Sequence, residues 1–200
     1  MNPVEIKTFL ESHQAKRERT LVIVDFGNVE KWKESLGWRV GIQELARLVK
    51  NFSFGTKHLR RFYYGSDYGK SERSHTLSIW SHKMLERAEL NRFQVVTKRV
   101  KYIHDGDRFE KKCDLDVEMA VDLIRLQDEY DSVVLFSGDG DLVYSLRYVV
   151  DQFGKEIIVF GARNHVGREV IDAKNEGVVN RLLFAEDFES RLNMDRFRGR

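Results

Sequence analysis

The chain has 200 residues, 42% hydrophobic and 33% charged, with a formal net charge of +2. That is enough apolar material for one domain, or at most two small ones, and excludes wholesale disorder. No apolar run approaches the roughly 18–20 residues of a membrane span, the start Met1-Asn2-Pro3-Val4-Glu5 does not read as a signal peptide, and the single Cys113 cannot close an internal disulfide. A soluble chain of the reducing cytoplasm is the expectation.

In chain order, Asn2 is placed to cap a helix, with Pro3 in its first turn and Glu5 at capping-box spacing. The basic run Lys16-Arg17-Glu18-Arg19 leads into Thr20-Leu21-Val22-Ile23-Val24, a continuous apolar run that suits a strand buried on both faces. Residues 42–52 have helical periodicity, and Leu59 to Tyr64 reads as a second strand. A polar loop, Gly65 to Ser71, precedes a helix over about Glu72 to Glu89. Phe93 to Ile103 alternates as one strand, which His104-Asp105-Gly106-Asp107 breaks. Next come a helix from about Leu115 to Asp128, a buried strand Ser132 to Phe136, and a helix over Leu142 to Phe153 that Gly154 closes. A strand Glu156 to Phe160, a short helix from Val166, a last strand near Leu182 to Phe184 and a terminal helix complete the chain. This alternation predicts an α/β fold on a mainly parallel sheet. Residues 1–19 read as a helical extension, 20–192 as the domain and 193–200 as a basic tail.

Charge is unevenly spread. Lys57 to Lys112 holds 14 Lys+Arg against 7 Asp+Glu, whereas Cys113 to Asp151 holds 2 against 10. A basic surface beside an acidic focus suggests a polyanion held next to a metal.

Ligands of open parallel sheets bind beyond the carboxyl ends of the strands. The two most apolar strands are followed by Asp25-Phe26-Gly27-Asn28 and by Ser137-Gly138-Asp139-Gly140-Asp141, so both deliver carboxylates to one rim. Turns use the same residue types. On a helical wheel, Val117, Met119, Ala120, Val121, Leu123, Ile124 and Leu126 share one wide arc with Asp116 at its middle, while Glu118, Asp122 and Arg125 take the remainder. An aspartate aimed at a core needs a partner, a metal or a place at the helix mouth.

Converging aspartates repel, at about 4 kcal/mol for two charges ~4 Å apart at an effective dielectric near 20. No Lys or Arg lies within residues 25–30 or 137–145. A hard divalent cation would neutralise them, and oxygen-only ligands select Mg²⁺ or Mn²⁺ over zinc. The histidines are scattered and form no standard ligand pair. Carboxylate-held metal beside a basic surface suits phosphodiester hydrolysis.

Three segments, Val24-Asp25-Phe26-Gly27-Asn28, the helix Asp116 to Asp122 and Val134 to Leu142, resemble the NYN domains of the PIN-like group of metal-dependent ribonucleases. Gly154 to Val159 and Ala185 to Phe188 resemble the family's later segments, so the likeness covers roughly Thr20 to Leu192. It implies a three-layer α/β/α PIN-like (Rossmann-like) fold with a mainly parallel central sheet. It also implies a site that binds Mg²⁺ or Mn²⁺ and cuts RNA. On this chain Asp25, Asp116, Asp139 and Asp141 would be the catalytic, metal-holding acids, Asn28 a polar neighbour and Ser137 a supporting hydroxyl. Asp122 also matches a family acid, but its side of the wheel places it behind the others. The family often has glycine before the first Asp of the helix; here Asp114 is an extra acid without an assigned role.

Arg60-Arg61-Phe62-Tyr63-Tyr64 and Lys98-Arg99-Val100-Lys101-Tyr102 interleave cations with aromatics, which suits phosphates and unpaired bases. Tyr64, Tyr68, Lys70, Arg73, Lys98 and Arg99 are the candidate RNA contacts, and Trp32 and Trp38 either stack a base or pack. The basic end, Arg191 to Arg200, is a further candidate on charge alone. The leading expectation is a metal-dependent endoribonuclease; the alternative is an inactive RNA-binding module of the same fold acting through partners. A haloacid-dehalogenase phosphatase would need an acid where Gly27 stands.

Overall fold

In the computed structural model, residues 1–13, 19–53, 57–71, 73–105 and 108–196 are described. The elements are α1 (Pro3–His13), β1 (Thr20–Asp25), α2 (Phe26–Lys31), α3 (Lys33–Leu36), α4 (Ile42–Val49), β2 (Arg60–Ser66), α5 (Ile79–Leu90), β3 (Gln94–Arg99), β4 (Lys101–Asp105), β5 (Arg108–Lys112) and α6 (Asp116–Arg125). They continue with β6 (Ser132–Phe136), α7 (Val143–Phe153), β7 (Glu156–Gly161), α8 (Arg168–Asn175), β8 (Arg181–Phe184) and α9 (Glu189–Leu192). Six strands form one parallel sheet in the order β3-β2-β1-β6-β7-β8.

Alternate residues of the central strands feed two cores. Val22, Val24, Phe62, Val134 and Phe136 pack beneath α1, α2, α4 and α5, with Ile6, Phe9 and Leu10 of α1 in the same cluster. Leu21, Ile23, Tyr63, Val133 and Leu135 pack beneath α6, α7 and α8. Burial on both faces is why β1 and β6 read as unbroken apolar runs. The result is the three-layer α/β/α arrangement expected. No helix among the described residues is long and apolar enough to cross a membrane.

Local signals account for the ends of two helices. The Asn2 carboxamide oxygen accepts from the Glu5 N–H at 2.9 Å while Glu5 Oε2 accepts from the Asn2 N–H at 2.8 Å, a reciprocal capping box. Gly154 closes α7 at φ 65°, in the left-handed region that glycine enters without steric cost.

Three expectations change. The single strand expected over Phe93 to Ile103 is two. The chain turns at Val100, whose N–H donates to the Ser66 carbonyl at 2.9 Å, and β4 leaves the sheet to pair antiparallel with β5, a strand the sequence reading lacks. Gly65 permits this corner, because a Cβ there would stand 2.8 Å from Val100 Cγ2 and 3.0 Å from Cys113. Both strands alternate with period two, so periodicity cannot show the corner between them. The helix expected from Glu72 begins only at Ile79, where Ser78 caps it. On α6, finally, the buried side carries Met119, Asp122 and Leu123, while Val117, Val121 and Ile124 face solvent. Asp122 is therefore buried (5% exposed) rather than on the solvent side. The wheel averaged two apolar faces into one arc, and a charged network decides which of them turns inward.

Lys16-Arg17-Glu18, Glu72, Gly106-Asp107 and the end of the basic tail, residues 197–200, lie outside the described residues.

Candidate active site

The strand order reverses between β1 and β6, the point at which α/β sheets open a crevice at their carboxyl edge. Asp25 ends β1 and caps α2, its Oδ1 accepting the Asn28 N–H at 3.1 Å. Its Oδ2 accepts the Ser137 hydroxyl at 3.0 Å, and the same hydroxyl accepts the Asp139 N–H at 3.1 Å. The Asn28 side-chain oxygen accepts from the Gly138 N–H at 3.0 Å and the Trp32 indole at 2.9 Å. Asn28 and Ser137 thus tie the loop after β6 to the end of β1. Trp32 is fully buried, which assigns it to packing.

Across the loop, Asp116, Asp139 and Asp141 each offer a carboxylate oxygen, all within 4.8 Å of one another. Asp25 stands outside that trio but lines the same cleft, a hollow of about 600 Å³ that Asp114 also lines. A larger hollow, about 880 Å³, lies between α1 and β8 and holds no such cluster of acids. The Asp114 carboxylate accepts the Asp116 N–H at 3.0 Å, satisfying a free donor in the first turn of α6.

Electrostatics mark the cleft as under-neutralised. Burial, the hydrogen bond with Asp114 and the charges of Asp114, Asp139 and Asp25 push the Asp116 carboxyl up to about 7. Burial likewise raises Asp25, against the hydrogen bonds from Asn28 and Ser137. Among the described residues none of Asp25, Asp116, Asp139 and Asp141 forms an ion pair with Lys or Arg. An all-oxygen set of crowded, unpaired carboxylates is the donor chemistry of a hard divalent cation.

Asp122 does not line this cleft. Its carboxylate lies under the sheet and accepts from Arg61 Nε at 2.7 Å, the Tyr63 hydroxyl at 2.5 Å and Arg125 Nε at 2.5 Å. Arg61 is therefore committed to the interior, and Arg60, also buried, lies over the Phe93 ring. Those two cations are unavailable to phosphates, which corrects the reading of the Arg60 to Tyr64 run.

The remaining RNA candidates scatter. Tyr64 lines the cleft, half-buried, its hydroxyl donating to Glu30 at 3.3 Å and raised to about 12, chiefly by burial. Lys98 is paired with Glu118 at 2.9 Å, and Arg99 donates to the Ser71 carbonyl with its guanidinium over the Tyr68 ring. Lys70 sits over the Phe109 ring, and Arg73 is exposed. Of the six, Tyr64 lines the cleft and Lys98 stands at its edge, donating to the Asp114 carbonyl at 3.1 Å. The cleft is lined instead by Lys31, Trp80, Ile103, Lys111 and Lys112. Trp80 carried no signal in the sequence, because a tryptophan in a helical stretch is ordinarily core.

The NYN domain model matches residues 19–180, most of the chain. The chain belongs to the NYN domain family. This ribonuclease-like family assignment agrees with the acidic cluster at the sheet's switch point. A curated relative, the low amplitude and bright protein LabA of Synechococcus elongatus, is 42% identical over 52 residues. That match covers 24% of this chain and 28% of the relative, so the NYN chain spans under a third of that protein's length. A crystal structure of a protein of unknown function from Vibrio parahaemolyticus RIMD 2210633 superposes with a TM-score of 0.62 at 19% identity, covering 86% of this chain and 95% of that one. At that identity the likeness concerns the fold alone.

Proposed function

We propose that this NYN domain is a metal-dependent endoribonuclease that hydrolyses RNA phosphodiesters with Mg²⁺ or Mn²⁺. The observation that carries the reading is the trio Asp116, Asp139 and Asp141, whose oxygens lie within 4.8 Å of one another with no cation partner among the described residues. Those three side chains would hold the ion, with Asp25 beside them. A divalent ion held there would supply Lewis-acid polarisation of the phosphoryl oxygen and acidification of water. The Ser137 hydroxyl and the Asn28 N–H hold the Asp25 carboxylate by one hydrogen bond on each oxygen. Residues 20–192 would form the catalytic domain, in a cytoplasmic setting.

The test is cleavage of an end-labelled unpaired RNA in Mn²⁺, Mg²⁺ or EDTA by wild type and Asp139→Asn. Internal cuts that require metal and fall at least a hundredfold in Asp139→Asn are expected. Binding of several RNAs without cutting any of them would transfer the proposal to an RNA-binding module.

A further inference from the structure

Beyond its acids, the cleft has apolar lining that the hydrolytic reading leaves unused. Trp80, in the first turn of α5, and Ile103, on β4, both line it and are 57% and 45% exposed. An indole is a large apolar body with a π-face, the side chain best suited to stacking on a flat partner. This one is held in place. Ser78, the cap of α5, donates its N–H to the Asp67 carbonyl at 2.7 Å, and the Asp67 N–H donates to the Ser81 hydroxyl at 3.1 Å. Tyr64, whose hydroxyl donates to Glu30 at 3.3 Å, lines the same cleft.

Asp67 also holds the hairpin. Its carboxylate accepts from the Tyr102 hydroxyl on β4 and from Lys111 Nζ on β5, both at 2.7 Å. Burial alone would raise this carboxyl, but Lys111, Tyr102 and the Gly69 N–H outweigh it and keep it ionised. The Asp67 backbone thus ties the start of α5, and its carboxylate both strands of the hairpin, to the end of β2, bringing Trp80 and Ile103 to the same cleft as the carboxylates. Lys31 and Lys112 line that cleft too, and among the described residues neither forms an ion pair. An exposed π-face beside cations not engaged in internal pairs takes a base and its flanking phosphates, and does so only from a strand whose bases are not already stacked in a duplex.

We propose that Trp80, with Ile103 in the same cleft, is the stacking platform for one unpaired nucleobase next to the phosphodiester presented to Asp116, Asp139 and Asp141, with the Asp67 carboxylate positioning the hairpin that carries Ile103. The identity of the ligand rests on the ribonuclease reading of the same cleft.

The experiment compares full-length wild type with Trp80→Ala, Trp80→Phe and Asp67→Ala. Binding of a labelled unpaired oligoadenylate in Ca²⁺ is followed by anisotropy and by tryptophan emission, alongside cleavage kinetics in Mn²⁺. RNA should quench the wild-type emission, and Trp80→Ala should lose that quench and on the order of tenfold in affinity. Trp80→Phe should regain part of the affinity. Asp67→Ala keeps the backbone bonds to Ser78 and Ser81 and releases only the hairpin, so it should raise KM less than Trp80→Ala does, with kcat unchanged. Melting temperature and Mn²⁺ binding should stay at wild-type values in Trp80→Ala. Equal affinity in wild type and Trp80→Ala, or an equal loss on an abasic strand, overturns the platform. If the wild type cuts RNA and Trp80→Ala keeps its KM, the platform fails and the nuclease stands. If the wild type cuts nothing but loses RNA on Trp80→Ala, the nuclease fails and the platform stands.

Discussion

The Asp122 carboxylate and the Asp116 carboxylate stand six positions apart on one helix, yet they meet opposite surroundings. Asp122 has three donors on two oxygens: burial would raise its carboxyl, but the hydrogen bonds from Arg125 and Tyr63 and the charge of Arg61 hold it below the ordinary range. Asp116 is partly buried among other acids, and burial first, then those neighbours, raises it to about 7. Removing Asp122 strands a buried guanidinium, so Asp122→Ala should cost about 3–5 kcal/mol in urea denaturation at neutral pH. The sign of its pH dependence follows from the depressed folded value. The stabilisation is present above the unfolded carboxylate value, about 3.9, and is lost as pH falls through the folded one. Wild-type stability should therefore decline below about pH 4 more steeply than that of Asp122→Asn; parallel declines would contradict the pairing. The sequence showed an acid at this position, but not its pairing with Arg61 and Tyr63, which sit on β2 some sixty residues earlier.

At the scale of elements, the loop after β6 depends on a close backbone approach. Gly138 accepts the Gly167 N–H at 2.8 Å on its carbonyl, and a Cβ on Gly138 would collide with the His165 carbonyl oxygen. Gly138→Ala must push this loop away from the loop after β7, displacing Ser137 and Asp139 with it. A loss of about 1–3 kcal/mol is expected, with weaker Mn²⁺ binding by calorimetry; wild-type values for both would disprove the close approach. The Ser-Gly-Asp-Gly-Asp run was legible as a rim loop because it follows an apolar strand. The partner that requires glycine there comes from a different loop and was not. The β4–β5 hairpin escaped notice for a related reason: its pairing partners and the Asp67 anchor are tertiary, while its alternation continues that of β3.

For the whole molecule, the order β3-β2-β1-β6-β7-β8 converts two separate segments into one cleft. Folding therefore brings like charges together, and their repulsion is relieved by any bound cation. In EDTA, Asp139→Asn should melt higher than wild type, by about 1 kcal/mol of stability, because one of the crowded charges is gone. Mn²⁺ should raise the wild-type melting temperature in a concentration-dependent way and raise that of Asp139→Asn far less. A thermal melt with and without metal checks both signs, and an Asp139→Asn protein that melts lower in EDTA would remove the argument from charge crowding.

Sequence alone determined the fold class, the strands buried on both faces, the capping box at Asn2 and the three aspartates, Asp25, Asp139 and Asp141, that follow β1 and β6. Those features are written in local periodicity, cap chemistry and the position of residues at strand ends. Tertiary structure decided which face of α6 turns inward, which arginines are interior, that Asp25 stands beside the trio rather than in it, and that Trp80 and a hairpin line the cleft. Each of these depends on contacts between residues far apart in the chain, where charge pairing and burial outweigh local pattern.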